Sequence, residues 1–154
     1  MEINDLISSG QVVANLHATS KKQVLQELSR RTADITGLHE RAIFDTLMER
    51  ERLGTTGVGN GIAIPHGKLP DIDRLYGLFA RLEQPVDFQA IDERPVDLIF
   101  LLLAPESAGA DHLKALAKVS RLLRDGATCE KLRGTDTGEA LYAILTGSVE
   151  HEAA

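Results

Sequence analysis

Thr55 to Lys68 reads TTGVGNGIAIPHGK, a stretch that spends four glycines and a proline on delivering one histidine, His66. Histidine is the side chain whose unperturbed pKa, about 6.5, lies nearest neutrality, so an imidazole can serve as base, nucleophile or metal ligand. Gly57, Gly59, Gly61 and Gly67 permit unusual φ values and close backbone approach, while Pro65 has a fixed φ and biases Ile64 towards extended geometry. Together they predict an imidazole presented rigidly at the end of a strand. Taken alone, His66 reads equally well as a polar turn residue.

Two other residues bear on that choice if the fold brings them near. His112 falls in the first turn of a predicted helix, where free backbone N–H groups and the positive end of the helix dipole favour an anion. Arg50 falls in the last turn of another predicted helix, beside the glycine stretch, and its planar donor fork suits phosphate oxygens. Its ordinary alternative is to bond its own helix's last carbonyls. A histidine nucleophile with a second histidine and an arginine describes a phosphoryl-transfer site, where positioning and charge stabilisation matter more than covalent help.

Rival chemistries fit the spacing less well. The series Gly57, Gly59, Gly61 resembles a nucleotide-binding loop, but such a loop needs a strand before it and a helix after it. Here a helix precedes and a strand follows, and the P-loop lysine is missing. Zinc is disfavoured because no Cys or His stands at short ligand spacing from His66 or His112, and His17, His39 and His151 are scattered in predicted surface segments. No bound cofactor and no metal are therefore expected. Cys129, the lone cysteine, cannot form an internal disulfide, which fits a reducing compartment.

Elsewhere in the chain, Ser20 and Gln23 have capping-box spacing, and Val24, Leu25, Leu28 and Ile35 recur at helical intervals. A helix is expected from about Lys21 to Ile35, broken by Gly37. The period repeats from Leu38 to Leu53 with Ile43, Phe44, Leu47 and Met48 inward, stopping at Gly54 in a left-handed cap. Short apolar runs follow, GIAIP, LYGLFARL and VDLIFLLLAP, and Val96 to Ala104 has the unbroken apolar texture of a strand covered on both faces. From Asp111 the helical period returns with Leu113, Leu116, Ala117, Ser120 and Leu123 on one side, ending before Gly126. Asp136 or Thr137 is placed to cap a last helix through Leu141, Ile144 and Leu145. The pattern is that of an α/β layered fold in one domain over 1–148, with 149–154 as a frayed polar tail.

Composition excludes several classes of function. With 43% apolar and 26% charged residues in 154, the chain has the profile of a soluble globular protein, and no apolar run nears the roughly 20 residues of a membrane helix. A net charge of −6 and 4% aromatic residues argue against nucleic acid, which is bound through clustered cations and stacking rings. The start, MEINDLISSG, has no signal-peptide character, so a cytoplasmic location is expected.

The stretches TTGVGNGIAIPHGK, TSKKQVLQELSRR, LMERERLGTTGVG and LEQPVDFQAIDERPVDLIFLLLAPESAGADHL together span nearly the whole chain. In them it resembles the type-2 EIIA domains of the bacterial phosphoenolpyruvate-dependent phosphotransferase system, the fructose/mannitol family, and most of all their nitrogen-related regulatory branch. The resemblance implies a mixed, mostly parallel β-sheet flanked by helices on both faces. It implies that His66 accepts a phosphoryl group, derived from phosphoenolpyruvate, from an HPr-like carrier (NPr in the nitrogen branch). His112 would be the second active-site histidine and Arg50 the arginine beside it, with Thr56 and Gly57 supporting the phosphate loop. Regulated partners would be proteins such as potassium transporters or sensor kinases. A sugar-transport EIIA that passes phosphate to an EIIB, and a non-catalytic protein-binding regulator, are the alternatives. An exposed apolar rim around His66 is expected for carrier docking.

Overall fold

A computed structural model describes residues 1–147. The expected frayed tail, 149–154, and His151 lie outside the described residues. Two short 3-10 turns, Ile3–Asp5 and Ser9–Gln11, lead into β1 (Val12–Leu16), α1 (Lys21–Thr36) and α2 (Glu40–Leu53). There follow β2 (Gly57–Gly59), β3 (Ile62–Ala63), β4 (His66–Leu69), β5 (Tyr76–Val86) and β6 (Val96–Pro105), then α3 (Ala110–Arg124), α4 (Gly126–Arg133) and α5 (Gly138–Thr146).

The six strands form one sheet in the order β1-β5-β6-β3-β2, with β4 also paired to β6. The pairs β1·β5, β3·β6 and β4·β6 are parallel, and β2·β3 and β5·β6 antiparallel. β6 is central and buried along its length except at Asp97, as its unbroken apolar run requires. Its side chains alternate between two cores. Ile99, Leu101 and Leu103 face a cluster with Val24, Leu25 and Leu28 of α1 and Ile43 and Leu47 of α2. Leu98, Phe100 and Leu102 face Ala115, Val119 and Leu123 of α3, Leu132 of α4 and Leu141 and Leu145 of α5. The helices thus cover both faces of the sheet.

The local signals explain most element ends. Ser20 Oγ accepts the Gln23 N–H at 3.1 Å and starts α1, while Gly37 ends it in the left-handed conformation at φ 76°. Thr137 takes the cap of α5, its Oγ1 accepting the Ala140 N–H at 3.3 Å. Gly54 does end α2, but at φ 155° and ψ 150°, outside the left-handed helical region expected of it. The inward face of α3 also differs from expectation. His112, Ala115, Val119 and Leu123 are buried, while Leu113 is 68% exposed and Ala117 is exposed, because the leucines straddle the helix and Ala115 and Val119 set the packed stripe. A helix unforeseen in the sequence, α4, begins where Gly126 suggested only a stop: Asp125 caps it by accepting the Ala127 N–H at 3.2 Å.

Phe100 is fully buried and meets Phe79 edge-on with ring centroids 6.4 Å apart, whereas Leu53 is 85% exposed. Urea denaturation should therefore show Phe100→Ala losing about 3–5 kcal/mol and Leu53→Ala staying within about 0.5 kcal/mol of wild type.

Candidate active site

β3 and β4 run in line along the same edge of β6, separated by Ile64 and Pro65. Proline has no N–H to give a ladder, but its carbonyl still accepts from Leu102 N at 2.9 Å, so the segment stays registered to the sheet through the break. His66 is the first residue of β4. The ring is therefore presented at a strand terminus, beside the two-residue interruption between β3 and β4.

Close packing around the motif accounts for its glycines. A Cβ on Gly67 would stand 2.5 Å from Thr46 Cγ2, so glycine is what lets α2 settle against β4 and bring its C-terminal turn over His66. Gly61 lies at φ 80°, and a Cβ there would meet Asp97 Oδ1 at 2.9 Å. Asp97 is in turn held by Arg133 Nε at 3.0 Å, and Arg133 Nη2 donates to the Asn60 carbonyl at 2.6 Å, clamping the β2–β3 turn to α4.

Both nitrogens of His66 are engaged. Nδ1 is 2.8 Å from the Ile64 carbonyl oxygen, an acceptor only, so Nδ1 carries the proton. Nε2 then holds the lone pair and accepts from Arg50 Nε at 3.2 Å. Arg50 also donates from Nη1 to the Gly54 carbonyl at 2.9 Å, so one guanidinium both closes its own helix and reaches the imidazole. The ring of His112 stands 5.7 Å from that of His66, centroid to centroid, tilted by 51°. The structure thus brings together the three residues expected to share a site.

Both imidazoles are held below their ordinary pKa. Burial is the main cause for His66, with the Arg50 cation adding to it and the Ile64 carbonyl and Glu51 opposing it. Burial again leads for His112, followed by the charges of His66 and Lys68. His112 is buried, and its Nδ1 has no hydrogen-bond partner. A buried lone pair without a partner costs less than a buried N–H without one, which favours the tautomer with hydrogen on Nε2.

Thr56 and Gly57 sit differently from what a phosphate loop requires. The Thr56 hydroxyl donates to Glu51 Oε2, and its N–H to Glu51 Oε1 at 3.0 Å. Gly57 N–H donates to Thr55 Oγ1 at 3.1 Å, and a Cβ at this glycine would lie 2.9 Å from that of Ala90. Both residues are buried, and these donors are spent on the protein itself. Glu51, which sequence reasoning passed over, has a side chain only 4% exposed and pairs with Lys21 Nζ at 2.7 Å. Its signal was present: Glu51 continues the inward series Ile43, Leu47 at four-residue steps, so a charge was being sent into the core. Among the described residues no group of three or more His, Cys, Asp or Glu is arranged to hold a metal, and no helix is long and apolar enough to cross a membrane.

Residues 5–148 match the family described as "Phosphoenolpyruvate-dependent sugar phosphotransferase system, EIIA 2". The chain belongs to that family, and so to the components of a phosphotransfer system. It is 55% identical over 145 residues to a protein named "Nitrogen regulatory protein" from Bradyrhizobium diazoefficiens, covering 94% of this chain and 95% of that one. A protein of the same name from Escherichia coli K12 is 40% identical over 147 residues, covering 95% and 90%. Among solved structures, nitrogen regulatory protein IIA-Ntr from Neisseria meningitidis superposes with a TM-score of 0.88 at 35% identity, covering 94% of this chain and 99% of that one. The mixed sheet with flanking helices is the fold this chain shares with that structure.

The two imidazoles should be visible in a pH titration followed by nitrogen-edited NMR. Both should titrate below the ordinary value of about 6.5, with His66 carrying its neutral-state proton on Nδ1 and His112 on Nε2.

Proposed function

We propose that the chain is a phosphoryl carrier and regulator: His66 Nε2 accepts a phosphoryl group from an HPr-like carrier, and the phosphorylation state sets which partners the protein engages. The observation that carries this reading is the Nε2 lone pair fixed beside the Arg50 guanidinium by the Nδ1–H bond to Ile64. A nucleophile held in one tautomer, with a cation at hand and a second neutral imidazole nearby, meets the needs of phosphoryl transfer without a bound cofactor.

In the transfer step the Nε2 lone pair attacks phosphorus, the bond from phosphorus to the donor's atom breaks, and its electron pair returns to the donor. Nδ1 keeps its proton, and the positive charge growing on the ring is shared with the Ile64 carbonyl. Arg50 Nε, which donates to Nε2 in the resting site, moves its hydrogen bond to a phosphoryl oxygen. His112 donates from Nε2–H to another oxygen. Thr56 and Gly57 act by holding the loop rather than by touching phosphate, in keeping with donors already spent on Glu51 and Thr55.

Docking of the carrier is supported by exposed apolar side chains on the segments that bear the site: Leu53 at the end of α2, Val58 in β2, Ile91 next to the Gly57 carbonyl it bonds, and Leu113 beside His112. Once phosphorylated, that surface gains about −1.5 to −2 charges, enough to change which partner it complements. Target proteins of the kind the family resemblance implies, potassium transporters or sensor kinases, would read this difference. Likeness over nearly the full length to proteins named for nitrogen regulation supports the regulatory role over sugar transport.

Incubation with phosphoenolpyruvate, Enzyme I and the HPr-type carrier, followed by intact-mass spectrometry, tests the reading. One acid-labile phosphoryl adduct is expected on the wild type and none on His66→Ala. His112→Ala should still form it, at a rate lower by about 10²–10³ if it loses a donor to the transition state. An adduct that survives in His66→Ala would overturn the assignment.

A further inference from the structure

Away from the phosphoryl site, a cavity of about 400 Å³ opens between the C-terminal end of α1, the link to α2 and the loop joining β4 to β5. Ile35, Thr36 and Leu38 line it from the helical side, and Asp71, Ile72 and Arg74 from the loop. It lies beside the start of α2, whereas Arg50 is in the last turn, and the helix rises about 15 Å between Glu40 and Arg50. A cavity of this size stands at the lower end of the range for small-molecule sites, about 300–1,000 Å³.

Several polar groups in its wall are already satisfied by the protein. Gln11 Nε2 donates to the Leu6 carbonyl at 3.2 Å and the Gly77 carbonyl at 2.7 Å, and its Oε1 accepts from the N–H and the hydroxyl of Ser8. Thr36 Oγ1 donates to the Thr32 carbonyl at 2.7 Å and accepts the Leu38 N–H at 3.2 Å. Tyr76, at the start of β5, is different. It is 5% exposed, forms part of the cavity wall, and its buried hydroxyl has no hydrogen-bond partner among the described residues. Buried hydroxyls are ordinarily hydrogen-bonded, so an orphan in a cavity wall marks a place where a ligand atom completes the set. Burial raises the Tyr76 pKa and Arg74 opposes the rise, so the phenol keeps its proton with a guanidinium nearby. The side chains of Arg74, Asp71 and Asp73 make no hydrogen bond or ion pair among the described residues.

We propose that this cavity binds a free α-amino acid with an apolar side chain: the Tyr76 hydroxyl and Arg74 hold its carboxylate, Asp71 and Asp73 its ammonium, and Ile35, Leu38 and Ile72 its side chain. A carboxylate has lone pairs enough for both an O–H and a guanidinium fork, and its charge strengthens each bond. The two aspartates complement the opposite end of the same molecule. Two carboxylates against one guanidinium leave the rim net negative, which repels phosphates and dicarboxylates. A simple amine would leave the buried hydroxyl and Arg74 unsatisfied, and the interior of a polypeptide has neither charge to offer. Ile35, 48% exposed, presents apolar area for an aliphatic side chain to cover.

An amide NMR titration with L-methionine, whose flexible thioether suits an irregular apolar wall, tests the site. Saturable shifts are expected at residues 36–38 and 71–76, with a submillimolar to millimolar dissociation constant for a ligand of about nine heavy atoms. N-acetyl-methionine lacks the ammonium and methionine methyl ester lacks the carboxylate, and each should bind at least about tenfold more weakly. Tyr76→Phe removes an oxygen that is unpartnered in the free protein, so it should melt no lower than wild type yet bind L-methionine about tenfold more weakly. Arg74→Gln should weaken binding to a similar degree. A Tyr76→Phe protein that melts well below wild type would show that the hydroxyl already has a partner and would overturn the proposal. So would undiminished binding of either derivative, wild-type affinity in either variant, or no saturable shift with L-methionine, L-valine, L-leucine or L-phenylalanine at tens of millimolar. Phosphoryl acceptance enters none of these readouts, so the site is decided separately from the carrier role.

Discussion

A neutral imidazole has one donor and one acceptor, so fixing the proton on one nitrogen decides what the other can do. The bond from His66 Nδ1–H to the Ile64 carbonyl makes that decision, and much of the motif can be understood as what makes it possible. Successive carbonyls along an extended chain point to opposite edges. The Pro65 carbonyl goes to Leu102 of β6, so the Ile64 carbonyl and N–H both point to the other side, where the ring and Thr56 meet them. Proline at 65 suits this arrangement twice over: it holds Ile64 extended, and it has no N–H of its own to leave unsatisfied.

The second requirement is that a cation reach Nε2 without blocking it. Arg50 comes from the last turn of α2, whose position depends on the absence of a side chain at Gly67. Its Nη1 is tied to the Gly54 carbonyl while Nε donates to the ring. Lysine would supply the charge but not this division of labour, since a guanidinium's donors are set in a rigid fork.

Where sequence and structure agree, the cause is periodicity or local capping chemistry. The run Val96 to Ala104 could only be a strand covered on both sides, and Ser20, Gly37 and Thr137 act within a few residues of their own positions. His66, Arg50 and His112 were legible because proline, glycine and helix-end contexts restrict what such residues do. What was not legible is long-range. The inward face of α3 was assigned to its leucines, although Ala115 and Val119 are what pack against the sheet and leave Leu113 outside. Thr56 and Gly57 look like phosphate-loop residues in a string, and only the fold shows their donors turned to Glu51 and Thr55. Strand β4 could not be foreseen either, since HGKL has no strand pattern and is extended because β6 lies beside it.

The charge balance of the site fits a carrier better than a trap. Under the proposed carrier role the reactive ring has one guanidinium bonded to it, Lys68 acts on His112 from further off, and both imidazoles are held below their ordinary pKa. Two or three fixed cations would bind the group more tightly, and every increment of ground-state affinity would be added to the barrier for passing it on. The protein's net charge of −6 acts in the same sense, because the wider field opposes permanent accumulation of anionic charge. Burial favours the neutral form of both histidines, and the buried Glu51 carboxylate is paired with Lys21 and bonded to the Thr56 N–H and hydroxyl.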